Sequence, residues 1–438
     1  MLGLVLILLG CEKYLNEPSN KSFAIITSLD DLEALLEHST MNSSPNAQEM
    51  SADNYYLTDE TWEALQFEEE QNMYIWAEQN VFRSGTNTNN WSNLYRAVFV
   101  SNTVLEQLGE IPLHPSEINR REHIKGAALL FRAISFLDAA QLWAVAYDAE
   151  TAQQEMGIPL RLNSDFNQPS VRASVHETYG QIVADLTAAI PLLPETPVAK
   201  TRPSKPAAYG VLARAYLWMR DYEQAQLYAD SCLILIDTLL EYNELDASKS
   251  FPISRHNAEV IFERQGSPSM IMASHNALVP LDIYRSFQEG DLRKNIFFQQ
   301  GSEGQVTFRG YYFGFASFMT GIATDEMYLT RAECLARNGR FEEALTDLNT
   351  LLRSRWSKDL PFEPIRLSSE EEIVDVILKE RRKQLLFRGH RWMDIKRLNK
   401  EGAAISLRRV VNGKEYILQA NSPRFALPLP DDLLPYFR

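Results

Sequence analysis

Two stretches of the chain repeat one pattern of small, apolar and aromatic residues, and this repetition limits the possible folds more than any other feature. The first stretch spans 203–237 and the second spans 323–355. At one common offset, the chain places Tyr209 with Tyr328, Ala213 with Ala332, Tyr222 with Phe341, and Ala225 with Ala344. Two matches at the same internal spacing indicate that one structural unit occurs twice.

Each stretch has the pattern of a helix, a tight turn and a second helix. In the second stretch, apolar residues recur at helical spacing on both sides of Asn338-Gly339, a pair that tolerates positive φ. Small residues at Ala332 and Ala344 allow the two helix backbones to approach closely. This is the pattern of a tetratricopeptide unit, which cannot bury its apolar face alone. Because the two units lie far apart in the chain, we predict a mainly α fold: a tetratricopeptide-like helical-repeat scaffold with long loop-rich insertions and a few short strands.

Elsewhere in the chain, helical spacing of apolar residues predicts helices, and its absence predicts loops. Helical spacing predicts four further helices, over 28–37, 91–108, 116–147 and 174–193. The spacing is lost over 40–90, which is rich in Asn, Ser, Thr and aromatic residues, and over the glycine-rich insertion 239–321. A small hairpin is predicted around 411–414. We predict an N-terminal part over 23–238 and a C-terminal part over 239–438.

The N-terminal end carries a short, wholly apolar run at 2–9. A helix needs about 20 apolar residues to span a bilayer, so this run is too short for that role. It has the length of the hydrophobic region of a secretory signal, although no Lys or Arg precedes it. The LLGC sequence that ends at Cys11 resembles the lipobox of bacterial lipoproteins. We therefore predict a signal peptide over 1–10, a lipid on Cys11 and a tether over 11–22.

Charge and motif content exclude several classes of function. The net charge of −15 excludes nucleic acid as a partner, because a phosphate backbone attracts a basic surface. The chain lacks the zinc-protease, nucleophile-elbow, phosphate-loop and dinucleotide motifs, and its seven histidines are scattered. Three cysteines are too few for a disulfide framework, and Cys232 and Cys334 occupy apolar helix positions. The sequence predicts a binding protein with no catalytic residue, cofactor or recognisable metal site.

Aromatic residues are dense in the predicted loops, and this points to ligand binding. Aromatic rings stack on sugar rings through the CH groups of the sugar, and they also hold peptide side chains. Loops on a rigid scaffold are where binding residues concentrate. We predict ligand contacts at Trp62, Trp76, Trp91, Tyr311 and Tyr312, with Asn89 and Asn90 as polar partners.

A charged segment near the C-terminal end, 380–397, is the most specific part of the chain. It reads ERRKQLLFRGHRWMDIKR and resembles a pattern of the SusD/RagB family. The matching residues are Glu380, Arg381, Leu385, Phe387, Gly389, His390, Arg391, Trp392, Asp394 and Arg397. Gln384 and Arg388 depart from the pattern, since acidic residues are usual at both positions. The stretch GAALLFRAISFLDAAQLW, the two repeat units and the LPLP sequence at 427–430 extend the resemblance over nearly the whole chain.

The resemblance implies a SusD-like, lipid-anchored protein on the outward face of the bacterial outer membrane. It implies capture of an oligosaccharide, which is handed to a SusC-like TonB-dependent transporter without covalent chemistry. Ligand contacts vary within the family, so none is carried over, and the charges of 380–397 are expected to serve the scaffold or the transporter. Two alternatives stay open. One is a peptide ligand in the same type of uptake system, and the other is a soluble tetratricopeptide scaffold that binds a partner protein.

Overall fold

The computed structural model describes residues 26–84, 90–112 and 114–437, and the described chain is mainly helical. The helices are α1 (Leu29–Leu36), α2 (Ala47–Ser51), α3 (Asp59–Glu63), α4 (Glu68–Tyr74), α5 (Asn90–Gln107), α6 (Ile118–Trp143), α7 (Val175–Ala189), α8 (Lys205–Met219), α9 (Tyr222–Leu235), α10 (Leu281–Arg285), α11 (Arg293–Phe297), α12 (Thr324–Arg337), α13 (Phe341–Arg355), α14 (Glu370–Gln384) and α15 (Arg391–Asn399). None of these helices combines the length and the apolar content that crossing a bilayer requires. The predicted fold class is confirmed.

The strands are short and form separate pairs rather than one sheet. They are β1 (Ser43–Ser44), β2 (Met156–Pro159), β3 (Arg172–Ser174), β4 (Val260–Phe262), β5 (Gln265–Gly266), β6 (Phe298–Gln300), β7 (Val306–Phe308), β8 (Ile322–Ala323), β9 (Leu407–Val411) and β10 (Lys414–Leu418). Strand β1 pairs with β5 in parallel, whereas β2–β3, β4–β8, β6–β7 and β9–β10 are antiparallel. The pairs therefore fasten loops to one another instead of building a sheet core.

The two predicted repeat units are helix hairpins, α8–α9 and α12–α13. The turn between α12 and α13 contains Gly339 with φ 76°, and the turn between α8 and α9 contains Arg220 with φ 63°. The small residues Ala213 and Ala332 are fully buried, which allows the helices to pack closely. Helix α9 packs against α12, so the two units lie side by side although they are far apart in the chain.

Helix α6 lies at the centre of the largest hydrophobic core. Every residue from Ala128 to Trp143 is buried, and the helix packs against α5 and α7. Small residues alternate with large ones along this helix, which suits packing on several sides. The core contains residues from both sides of the predicted boundary at 238.

The segment 40–84 is more helical than its sequence predicts. It forms α2, α3 and α4, each of which has only five to seven residues. Helices this short do not display enough turns for a periodic pattern to be recognised. Helices α2 and α4 contribute lining residues to the groove described below.

The predicted hairpin at 411–414 is confirmed, and it also holds the segment 40–84 in place. Strands β9 and β10 are joined by Asn412 and Gly413, which both have positive φ. The guanidinium of Arg409 in β9 donates to the backbone carbonyls of Met50, at 3.0 Å, and of Ala52 and Tyr74. The same guanidinium lies 3.8 Å from the ring centroid of Tyr74.

The charged segment 380–397 is folded into the scaffold. Arg397 has no exposed surface and donates to both carboxylate oxygens of Glu333, at 2.6 and 2.7 Å, and to Asp394 at 2.8 Å. Arg381 also donates to Asp394, at 3.0 Å. The expectation that these charges serve the scaffold is confirmed for these residues.

The two departures from the family pattern fit this charge arrangement. Gln384 donates from Nε2 to Oδ2 of Asp325 at 2.9 Å, and Arg388 donates from Nε to the carbonyl of Met319 at 2.7 Å. Asp325 is fully buried. A carboxylate at position 384 would repel the carboxylate of Asp325, whereas the amide of Gln384 binds it.

Glu49 connects α2 to the loop before α15. Its carboxyl group accepts hydrogen bonds from the backbone N–H of Gly389 at 2.9 Å and from Nδ2 of Asn54 at 2.7 Å. Burial nevertheless raises the pKa of Glu49 to about 7. The folded protein therefore holds a proton that the unfolded chain releases at lower pH.

We expect Glu49 to make the free energy of unfolding fall between pH 4.5 and about 7. In this window the folded state binds more protons than the unfolded chain, so stability decreases as the pH rises. The loss is on the order of 3 kcal/mol, since one pKa unit corresponds to about 1.4 kcal/mol. Urea unfolding across this range measures it. Glu49→Gln should lack this part of the slope and should unfold at higher urea than the wild type near pH 8; parallel slopes would contradict the expectation.

Candidate functional site

A surface groove joins the short helices of segment 40–84 to the loop after β5. It has two adjoining parts, with volumes of about 520 and 440 Å³, which share Ser43, Asn93, Ser267 and Pro268 among their lining residues. We call it the polar groove and define it by the lining residues Asn46, Phe67, Arg83, Asn90, Asn93 and Ser267.

Backbone pairing brings distant segments together at the polar groove. Strands β1 and β5 pair in parallel, and the chain after them continues the contact because the Ser267 N–H donates to the Ser44 carbonyl at 3.0 Å. Asn46 then donates from Nδ2 to the Ser267 carbonyl at 2.8 Å, and its backbone N–H donates to Oδ1 of Asn90 at 3.0 Å. The side chains of Asn46 and Asn90 therefore have fixed orientations at the N-terminal end of α5.

The floor of the polar groove is apolar. Met73, Val81 and Phe82 line it and are all buried. At its edge, the guanidinium of Arg83 lies 4.0 Å from the ring centroid of the half-buried Phe67. An apolar floor beside amide and hydroxyl groups is the usual composition of a site that binds a small organic molecule.

Two buried glutamates fix the loops that border the groove. The carboxylate oxygens of Glu70 each accept a backbone N–H, from Met270 and from Ile271, both at 3.1 Å. Burial raises the pKa of Glu70 above its ordinary value. Glu263 accepts from Nη2 of Arg255 at 2.7 Å. These carboxylates are occupied by protein groups. The side chains of Asn46, Asn90 and Ser267 also have protein partners, so a neutral ligand would add to the hydrogen bonds that they already make.

The composition of the polar groove suits a ligand that carries hydroxyl groups. Amide and hydroxyl groups can both donate to and accept from the hydroxyls of a sugar, and an apolar floor can pack against its CH groups. Within the ranges 26–84, 90–112 and 114–437, no three His, Cys, Asp or Glu residues come together as a possible metal site.

Of the seven predicted ligand contacts, Asn90 lines the polar groove. Asn89 lies outside the described residues, as does the predicted lipid site at Cys11. Trp62 is half-buried and donates from Nε1 to the Gln71 carbonyl at 3.3 Å.

The other four predicted contacts, Trp76, Trp91, Tyr311 and Tyr312, are buried in the core. Trp91 is 8% exposed and stacks on Tyr95 with ring centroids 4.4 Å apart, while Trp76 donates from Nε1 to the Ser51 carbonyl at 2.9 Å. Tyr311 and Tyr312 are 4% and 2% exposed. Core packing leaves these rings no open face, and a ligand role for them stays a prediction.

Sequence reasoning missed most of the polar groove. The missed residues are Asn46, Phe67, Arg83, Asn93 and Ser267. One signal was present: short runs of Asn, Ser and Pro occur at 42–46 and 267–269, directly beside the paired strands β1 and β5. The sequence of either run does not reveal that the two runs are neighbours in the folded protein.

Comparisons with known proteins agree with the fold and the sequence motifs. A family model described as starch-binding associating with outer membrane matches residues 13–217. A second model, the SusD family, matches residues 324–425. A SusD-like protein of Formosa agariphila is 21% identical over 407 residues, which cover 75% of each chain.

Solved structures show the same fold. The structure of a SusD-like carbohydrate binding protein from Bacteroides vulgatus is 20% identical, has a TM-score of 0.70, and aligns over 94% of this chain and 97% of its own. The structure of a laminarin binding SusD-like protein is 18% identical, has a TM-score of 0.63, and aligns over 86% of this chain and 92% of its own. These likenesses show a shared fold. With the motifs at 380–397 and both family models in agreement, the chain belongs to the SusD/RagB family.

Proposed function

We propose that the protein binds an oligosaccharide in the polar groove and passes it to a TonB-dependent outer-membrane transporter without changing it chemically. The observation that carries this proposal is the groove itself, in which fixed asparagine side chains and serine groups stand beside a buried apolar floor. The family match supports a carbohydrate as the ligand class, since the model at 13–217 is described as starch-binding.

In this proposal the protein is anchored by a lipid on Cys11 and faces outward. A lipid anchor places a protein at a membrane surface without a spanning helix. Labelling cells with a palmitate analogue tests the anchor: the wild type should take up label, and Cys11→Ala should not. An unlabelled wild type would contradict the lipid anchor but would leave the groove unaffected.

Removing the ring of Phe67 is expected to weaken oligosaccharide binding by roughly five- to thirtyfold. An aromatic ring beside a sugar contributes on the order of 1–2 kcal/mol, and about 1.4 kcal/mol corresponds to a factor of ten in the dissociation constant. Isothermal titration calorimetry of Phe67→Ala with laminarin oligosaccharides and with malto-oligosaccharides, each compared with the wild type, measures the change.

Phe166→Ala is the matched control, because Phe166 is 80% exposed and is not a lining residue of the groove. It should bind like the wild type. A loss of affinity in Phe166→Ala with none in Phe67→Ala would place the site elsewhere. Binding of a peptide but of no oligosaccharide would overturn the ligand class.

A further inference from the structure

A second cavity is lined by residues of the charged segment 380–397, which contributes nothing to the polar groove. It has a volume of about 340 Å³ and lies beside α14 and the start of α15. We call it the arginine cleft and define it by Asn54, Arg381, Arg382, His390 and Arg391. It shares no lining residue with the polar groove.

Ion pairs hold the guanidinium groups of the arginine cleft in place. Arg391 donates from Nε and Nη2 to the carboxylate of Asp53, at 2.7 and 3.0 Å, and Nη2 of Arg382 lies 3.0 Å from the same carboxylate. Arg381 is held by Asp394 through Nε. These ion pairs occupy some of the guanidinium N–H groups, and other N–H groups of the same arginines make no hydrogen bond.

Several buried polar atoms of the arginine cleft make no hydrogen bond to the described residues, although Nε2 of His390 lies 3.7 Å from a carboxylate oxygen of Glu326. They are Nη2 of Arg381, Nε of Arg382, both ring nitrogens of His390 and Oδ1 of Asn54. Arg381 and His390 are only 1% and 2% exposed. A buried polar group without a hydrogen bond is costly and uncommon, so this concentration in one cavity marks a place that a ligand or ordered water can fill.

The charges around the cavity select the kind of ligand. The lining contains the cations Lys379, Arg381, Arg382 and Arg391 but only two carboxylates, Asp375 and Asp394. Lys379 pairs with Asp375, and Arg381 pairs with Asp394. Arg382 and Arg391 share the single carboxylate of Asp53, so one positive charge is left over.

His390 adds a hydrogen-bond donor rather than a charge. Burial, together with the charges of neighbouring arginines, holds the pKa of His390 well below its usual range. The ring is therefore neutral and offers one N–H. Water could satisfy these groups individually, but it would not balance the excess positive charge.

We propose that the arginine cleft binds a small oxyanion of the carboxylate, phosphate or sulfate class. The N–H groups of a guanidinium are spaced to donate to two oxygens of such an anion. The unpartnered N–H groups of Arg381, Arg382 and His390 supply the donors, and the cavity is large enough for the anion together with ordered water.

The first experiment measures the melting temperature of the wild type in rising concentrations of sodium phosphate, sodium sulfate and sodium acetate. Sodium chloride at equal ionic strength is the reference in each series. At least one oxyanion should raise the melting temperature in a saturable manner beyond chloride, and comparison of the three salts distinguishes phosphate or sulfate from carboxylate. A rise that stays linear with salt concentration, as exclusion of phosphate or sulfate from the protein surface produces, would overturn the proposal, and so would equal effects of all four salts.

The second experiment uses Arg382→Gln, because Arg382 is partly exposed and its loss disturbs the fold less than the loss of Arg381. Its dissociation constant for the active anion should rise at least tenfold by calorimetry. Arg408→Gln, which alters an exposed arginine of β9, should bind like the wild type. Unchanged affinity in Arg382→Gln would overturn the proposal. If that variant does not fold, the NMR signal of the Arg382 Nε–H group in the wild type decides, since it should shift with the anion and not with chloride.

Discussion

Arg397→Leu is expected to lower the free energy of unfolding by about 3 kcal/mol. Arg397 and Glu333 are both fully buried, and the guanidinium donates to both carboxylate oxygens at 2.6 and 2.7 Å. Leucine would fill much of the space but leave Glu333 short of its main counter-charge. A carboxylate that stays charged without a partner in a buried site is far less stable than one that is paired.

Urea unfolding followed by circular dichroism measures this loss. Arg340→Leu is the control, because its ion pair with Glu343 is exposed and should contribute nothing measurable. Adding Glu333→Leu to Arg397→Leu should restore part of the stability, since the unpaired carboxylate is then removed. If the two single arginine variants unfold at the same urea concentration, buried pairing is not what stabilises this segment.

Gly321→Ala is expected to cost at least about 3 kcal/mol of stability or to prevent folding. A Cβ atom at position 321 would lie 1.8 Å from the carbonyl oxygen of Phe262 and 2.8 Å from the backbone nitrogen of Arg264. Both neighbours are backbone atoms, so a side-chain rotation cannot make room. The strands β4 and β8 would have to separate, and the start of α12 would move with them.

Gly180→Ala is the same type of change, but it is expected to raise the stability of the protein. Gly180 lies inside α7, and a Cβ atom there would meet no atom within 4 Å. Alanine favours a helix over glycine by on the order of 0.5–1 kcal/mol, so this variant should be slightly more stable than the wild type. A thermal unfolding series of the two variants tests both. Similar stability of the two alanine variants would show that the close approach at Gly321 does not constrain the fold.

The repeat units could be predicted because their signals are local. A helical period, a turn pair at Asn338-Gly339 and small residues at Ala332 and Ala344 all lie within one short stretch. The packing of α9 against α12 could not be predicted in this way, because it joins residues far apart in the chain. The fold class therefore followed from the sequence, while the arrangement of the units required the structure.

The burial of Trp76, Trp91, Tyr311 and Tyr312 could not be predicted from the sequence, because a ring in a polar segment fits both a surface and a core. Trp76 donates a hydrogen bond to the carbonyl of Ser51, and the guanidinium of Arg409 packs 4.8 Å from its ring. Arg409 comes from the other end of the chain, so the sequence around Trp76 contains no sign of it.

The polar groove was missed for a related reason. Asn46, Asn93 and Ser267 come from three separate segments, and a polar residue in a loop is ordinary in each of them. Only the parallel pairing of β1 with β5 places the first and third segments side by side. Asn90 was predicted because it stands next to a tryptophan, and it lines the groove although that tryptophan does not.

The hydrogen bonds from Arg409 have a consequence for how the protein is made. Arg409 holds the carbonyls of Met50, Ala52 and Tyr74, which belong to the helices and connecting segment on one side of the polar groove. A ribosome releases those segments long before it reaches residue 409. Closing a contact over almost the whole chain is slow compared with forming a local helix. A chain that stops short of the β9–β10 hairpin lacks this anchor, so this side of the polar groove gains the support of Arg409 only after the hairpin has been made.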